Sequence, residues 1–199
     1  MKTRRLLIAA LLLVLVLMAG GWPVANRWRP HTFHGMVIQS PQPAPDFTLT
    51  THQGQRLSLS DLRGRLVVLY FGYTFCPDVC PTTLSEWARA MRLLGPKADR
   101  VQVIMITVDP ARDTAEKLGA YLAHFDPRFI GLVGTEDEIA RIATLYGIYY
   151  QKHEDGGENY LVDHTATQTA IDQEGYIKLV FPFGTKAEDI ADDLAYMLR

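Results

Sequence analysis

Two near-continuous apolar runs, Leu66–Gly72 (LVVLYFG) and Val101–Val108 (VQVIMITV), constrain the fold more than any other feature of this chain. Both are rich in β-branched and aromatic residues and carry almost no polar alternation, the pattern of strands buried on both faces of a sheet. Each is followed by a helical pattern. After the first, Thr83 with Glu86 makes a capping-box spacing ahead of Leu84, Trp87, Ala88 and Met91. After the second, Asp113 with Glu116 precedes Leu118, Tyr121, Leu122 and Phe125. Further on, Phe129–Val133 reads as a short strand, and Thr135 with Glu138 opens a helix bearing Ile139, Ile142, Ala143 and Tyr146. Ile148 to Val162 reads as a hairpin around Gly156-Gly157. The chain then offers Thr167–Ile171 and Tyr176–Phe181 as an antiparallel pair joined through 172–175, and a last helix opened by Thr185 with Glu188 and carrying Ile190, Leu194 and Leu198. With residues 126–163 set aside as an insertion, the order is βαβα followed by ββα. That is the order of the thioredoxin fold: an α/β class with a central mixed sheet flanked by helices, here with an inserted helix and β-hairpin.

The only two cysteines, Cys76 and Cys80, stand four apart just after the first apolar run. A disulfide between them would close too short a loop to add more than about 2 kcal/mol, a small gain for a chain with ample core. Thiolates this close suit redox exchange or the holding of a soft metal. Pro77 keeps Cys76 out of helical conformation, and Pro81 suits a helix start, so Cys76 is expected on a loop and Cys80 at the helix mouth. The amides and positive dipole end there favour thiolate over thiol, which is expected to activate both sulfurs.

The N-terminus bears on the compartment. Lys2, Arg4 and Arg5 precede Leu6–Asn26, which has no charge and as a helix would reach about 31 Å, enough for a bilayer core. A cleaved signal peptide fits the same pattern, but Met18–Trp22 matches a cleavage site only loosely and no cysteine follows it for lipidation. The reading is therefore an uncleaved transmembrane anchor, with its basic end inside and the domain on the outer, periplasmic or extracytoplasmic side. A redox-active pair is at home there. The domains are then 1–26, basic N-terminus and anchor; 27–44, an extended linker with Pro30, Pro41 and Pro43; and 45–199, one globular domain. Of 20 Lys+Arg, five lie in the first 30 residues, which leaves 15 against all 22 Asp+Glu, a formal charge of −7 that argues against nucleic acid.

Three segments together resemble the Sco/SenC family: Phe71-Gly72-Tyr73-Thr74-Phe75-Cys76-Pro77-Asp78-Val79-Cys80-Pro81, Val108-Asp109-Pro110-Ala111-Arg112-Asp113-Thr114 and Val162-Asp163-His164. The resemblance covers roughly Pro45 to Arg199. It departs at Phe75, where many members carry His. The family consists of membrane-anchored, thioredoxin-like copper proteins that help assemble the binuclear copper centre of cytochrome c oxidase. The resemblance thus implies a metallochaperone, rather than an enzyme, that binds Cu(I) or Cu(II) through Cys76, Cys80 and His164. Its implied partners are the copper-receiving oxidase subunit, other copper chaperones and a thiol reductant.

His164 is one of six histidines, and a single His is more often a surface or core residue than a ligand. Its position, just before the strand 167–171, sets it apart. In the thioredoxin fold that loop faces the cysteines and carries a proline, whereas this chain has no proline between Arg128 and Pro182. Asp78 reads equally as a tuner of thiolate basicity and as an ordinary helix-start residue, and Asp163 is adjacent to His164 as an orienting partner, although neighbours in a strand point to opposite faces. His31, His34, His52, His124 and His153 show no clustered spacing and read as solvent-facing, His124 at a helix end. The alternative function is a thiol-disulfide oxidoreductase that carries no metal, in which Cys76 attacks and Cys80 resolves. A peroxidase fits poorly, because Thr74 precedes Cys76 by two residues rather than the three usual in peroxiredoxins.

Overall fold

The two apolar runs form strands buried along their whole length, β4 (Leu66–Gly72) and β5 (Val101–Thr107). They pair in parallel, in register from Leu66 opposite Val101 to Gly72 opposite Thr107. The one polar side chain in mid-strand, Gln102, is satisfied by donating to the Arg128 carbonyl at 2.8 Å. The structure is a computed structural model and describes residues 31–153, 157 and 159–199. The proposed anchor, residues 1–26, lies outside the described residues, among which no helix is long and apolar enough to cross a membrane.

Around the central pair the sheet has eight strands. On one side β9 (Gln168–Ile171) runs antiparallel to β4, then come β10 (Ile177–Phe181) and β1 (Met36–Val37). On the other side β6 (Ile130–Val133) runs parallel to β5, followed by the hairpin of β2 (Thr48–Thr51) and β3 (Arg56–Ser58). The helices are α1 (Val79–Leu94), α2 (Ala115–Ala123), α3 (Glu136–Leu145) and α4 (Ala187–Met197). The order β4-α1-β5-α2 and then β9-β10-α4 is that of the thioredoxin fold, with β6, α3 and a separate two-stranded ribbon inserted. That ribbon pairs β7 (Tyr150–Lys152) with β8 (Val162–His164) and joins no strand of the main sheet. His164 therefore ends a strand instead of sitting in the loop before β9.

The helix starts correct the sequence reading. Thr135 and Glu138 do form the capping box expected of them. The helix carrying Cys80, however, begins at Val79 with Asp78 as its N-cap, so Thr83 lies inside it. Pro81 is tolerated there because the first-turn amides have no intrahelical acceptor to lose. Glu86 caps a different helix: its carboxylate accepts from the Ala187 amide at 2.8 Å, at the start of α4. Thr185, expected to cap α4, donates instead to the Pro182 carbonyl. Thr114 rather than Asp113 caps α2, because Asp113 is drawn into the interior by two hydroxyls.

The segment assigned to a linker is part of the sheet at its C-terminal end. Met36 and Val37 pair with Val180 and Leu179, and Pro43 bridges to Tyr176. An extended, proline-rich backbone is already strand-like, and the free edge of β10 offers it partners.

Gly72 closes β4 where the sheet meets α1. A Cβ there would lie 2.9 Å from Tyr70 Cε1 and 3.1 Å from both Cys80 Sγ and Met105 Cε. Gly72→Ala is expected to destabilise the domain by about 1–3 kcal/mol through overpacking. Urea unfolding would read this as a lower midpoint with an unchanged slope, and a wild-type midpoint would refute it.

Candidate metal centre

Cys76 sits half-buried on the loop between β4 and α1, and Cys80, the second residue of α1, is fully buried. The helix start turns the Cys80 amide toward the Cys76 sulfur, at 3.4 Å. From the far end of the fold, β8 brings His164 Nε2 to 3.4 Å from Cys80 Sγ. The three donor atoms all lie within 4.8 Å of one another. Cys76 and His164 line a cleft of about 350 Å³ whose walls include Tyr73, Pro77, Leu161 and Ala166, with Cys80 buried behind them.

The imidazole is held in one orientation. Its Nδ1 lies 3.1 Å from the Thr165 carbonyl, an acceptor, so in the neutral ring Nδ1 carries the proton and Nε2 presents its lone pair to the sulfurs. The rings of Tyr70 and Tyr73 flank it edge-on, with centroids at 6.0 and 5.9 Å. Tyr73 also ties the ribbon down, its hydroxyl accepting from the Val162 amide at 3.2 Å.

The two thiols are electrostatically unlike. A hydrogen bond from the Cys80 thiol, helped by the amides of Cys80 and Asp78, pushes Cys76 down to about 3. Cys80 moves the other way, because the Cys76 thiolate holds its proton and burial disfavours its charge. The expectation that the helix start activates both sulfurs is thus corrected. One proton serves the pair and resides on Cys80, since Cys76 alone is exposed enough to carry charge. Neither cysteine is in a disulfide.

Asp78 and Asp163, the carboxylates proposed to assist the site, both line its cleft but make their side-chain hydrogen bonds to other residues. Asp78 is exposed, and its side chain accepts from the Thr82 hydroxyl at 3.3 Å. Asp163 is exposed and meets His153 Nε2 at 2.9 Å, on the opposite side of the strand from His164. The backbone of Thr165 orients the imidazole in its stead. His52 is not solvent-facing either: it is half-buried, and its Nδ1 accepts from the Gly131 amide at 3.0 Å. His124 ends α2 as expected.

Two residues that position the site were not given that role from the sequence. Buried Asp113 accepts from the Thr74 amide at 3.0 Å, the Thr74 hydroxyl at 2.6 Å and the Thr107 hydroxyl at 2.7 Å, which fixes the start of the cysteine loop. Asp109, also buried, accepts from Arg112 Nε and from the Tyr160 hydroxyl, both at 2.5 Å. A run of charged residues directly beyond the C-terminal end of a buried parallel strand was the available signal, because loops at that edge build binding sites in α/β sheets.

Two thiols and one imidazole make a donor set that suits a soft ion such as Cu(I), whereas structural zinc takes a fourth protein ligand.

The model of the family described as SCO1/SenC matches residues 37–199. "Protein SCO2 homolog, mitochondrial" of Bos taurus is 36% identical over 152 residues, which is 75% of this chain and 57% of that protein. Among solved structures, Bradyrhizobium japonicum ScoI with copper bound is 38% identical, covering 78% of this chain and 99% of that one, with a TM-score of 0.73. Apo Sco1 from Thermus thermophilus is 42% identical over 84% of this chain and 96% of its own, also with a TM-score of 0.73.

The unequal thiols predict unequal chemistry. Alkylation of Cys76 by iodoacetamide in the reduced domain should change little between pH 5 and 8, where an ordinary thiol near 9 would react about tenfold faster per pH unit. Cys80 should remain unmodified until the protein unfolds. In the window from about 3 to 9 the unfolded chain holds a proton on Cys76 that the native chain lacks, so this group adds stability as pH rises and loses it as pH falls toward 3. A log-linear rise of Cys76 labelling with pH would refute the assignment.

Proposed function

The chain belongs to the SCO1/SenC family, and from that premise we propose that it is a copper-binding metallochaperone that assists assembly of the binuclear copper centre of cytochrome c oxidase. The observation that carries this reading is the convergence of Cys76 Sγ, Cys80 Sγ and His164 Nε2, the last drawn from 84 residues beyond Cys80. The copper-bound state of the related ScoI supports it. Cys76 offers a thiolate already formed at the open side of the cleft, and His164 offers a neutral nitrogen fixed by Thr165. Cys80 must give up its proton for copper to bind, so loading releases a proton and unloading takes one back. The copper-receiving oxidase subunit is the proposed partner, together with a chaperone or reductant that meets the same exposed sulfur.

One observation favours a second reading, a thiol-disulfide reductase without metal: the half-exposed thiolate of Cys76 has a protonated thiol four residues on. Cys76 would attack a partner disulfide and expel one partner thiolate. Cys80 would then lose its proton and attack the Cys76 sulfur, leaving a Cys76–Cys80 disulfide and a second partner thiol.

Copper titration separates the two. Wild type should bind one copper per chain, and Cys76→Ser or Cys80→Ser should abolish binding. His164→Ala should weaken it by at least about tenfold, or 1.4 kcal/mol, while thiol-disulfide exchange persists. Equally tight binding by Cys80→Ser would overturn the copper site.

We also propose that residues 1–26 anchor the chain, with the domain outside, which the charge-free stretch after Lys2, Arg4 and Arg5 supports. A tether keeps the domain near a membrane-bound partner. The full-length chain should stay in the membrane fraction after high-salt washing and be protease-accessible from the outer side. A soluble form beginning near Gly21 would overturn the anchor.

A further inference from the structure

The ribbon that carries His164 makes no ladder with the eight-stranded sheet, so beyond the short link from His164 to β9 it is side-chain contacts that hold the ribbon against the cysteine loop. Those contacts converge on Arg112. Its guanidinium carbon lies 3.5 Å from the ring centroid of Tyr160, the residue that leads into β8, and 4.7 Å from that of Phe75, which precedes Cys76. Its Nε donates to Asp109, whose other carboxylate oxygen accepts from the Tyr160 hydroxyl. Asp109 is fully buried and lies two residues beyond β5, so the ion pair is anchored at the edge of the central sheet. A planar cation stacked on an aromatic ring and ion-paired at low exposure is a strong and directional contact, one that lysine does not reproduce.

We infer that Arg112, held by Asp109 and stacked on Tyr160, is a positioning residue that latches the histidine ribbon to the cysteine loop and so sets His164 within ligand distance of Cys80. Its functional consequence rests on the copper reading; its structural consequence does not. Arg112 is not one of the three donor residues, and its effect on copper is expected through His164. Loosening the latch leaves both cysteines in place, because Cys80 is fixed by α1 and the cysteine loop by Asp113.

Two variants test this, Arg112→Gln and Tyr160→Leu, the second a change at a partly exposed ring at the margin of the core that keeps an apolar side chain there. Backbone amide exchange is measured on the reduced, metal-free domain. The Val162 amide, which bonds to Tyr73, should exchange at least about tenfold faster in both variants, with β4 and β5 amides unchanged. Copper affinity should fall by about tenfold, and pulsed EPR of the Cu(II) form should show a weakened imidazole nitrogen coupling. In a His164→Ala background the same substitutions should cost no further affinity, since the route through the imidazole is already gone. Unchanged Val162 exchange, or an equal loss of affinity in the His164→Ala background, would overturn the latch. Failure of wild type to bind copper would overturn the proposed function instead, and the exchange measurement would still decide the latch.

Discussion

The parallel pairing of β4 with β5 is the constraint on which the rest depends. Buried on both faces and in register from end to end, the two strands release their loops at one level of the sheet. One loop holds Cys76 and the other Asp109, Arg112 and Asp113. Because both strands run the same way, the cysteine loop and the loop that braces it come out at the same carboxyl edge, where open α/β sheets place their ligand sites. Asp113 then joins them, accepting from Thr74 on one side and Thr107 on the other. A buried carboxylate with three donors is a costly group made stable by full satisfaction, and it fixes the loop geometry more tightly than apolar packing does.

The site is assembled from parts of unequal rigidity. Cys80 is embedded in the first turn of α1, whose apolar face packs on the sheet through contacts such as Trp87 against Phe181 of β10. Cys76 stands where that helix presents its free amides, and His164 comes on a ribbon outside the main sheet. A centre that must accept an ion and later release it benefits from such a division. The buried thiol and the loop provide a fixed pair, and the third donor sits on the element with fewest backbone ties to the rest.

Proton placement within the pair follows from burial. Cys80, with no exposed surface, keeps the proton, and Cys76, facing the cleft, carries the charge among amide donors. The exposed sulfur is thus the one ready to meet copper or a partner's sulfur, and the buried one ionises second. Copper binding and disulfide exchange share this first step, which is why the imidazole, needed by one and not the other, distinguishes them.

The sequence by itself determined the elements from Leu66 onward and their order, because periodicity and β-branched runs report which faces are buried, but not the short strands β1, β2 and β3 before it. It also located the cysteine pair, the Asp-Pro segment and, through family resemblance, His164. It placed Thr135 with Glu138 correctly as a cap, since both partners lie within one turn. It misassigned Glu86 and Asp113 because their partners, Ala187 and Thr74, are distant in sequence, and a capping pattern cannot tell a local donor from a remote one. Only the tertiary structure decided that Asp163 turns to His153, that Thr165 orients the imidazole, that Met36 and Val37 extend the sheet, and that one thiol is lowered while the other is raised. Each of these depends on distance through space between groups far apart along the chain, or on how much solvent reaches them, and neither quantity is written in residue spacing.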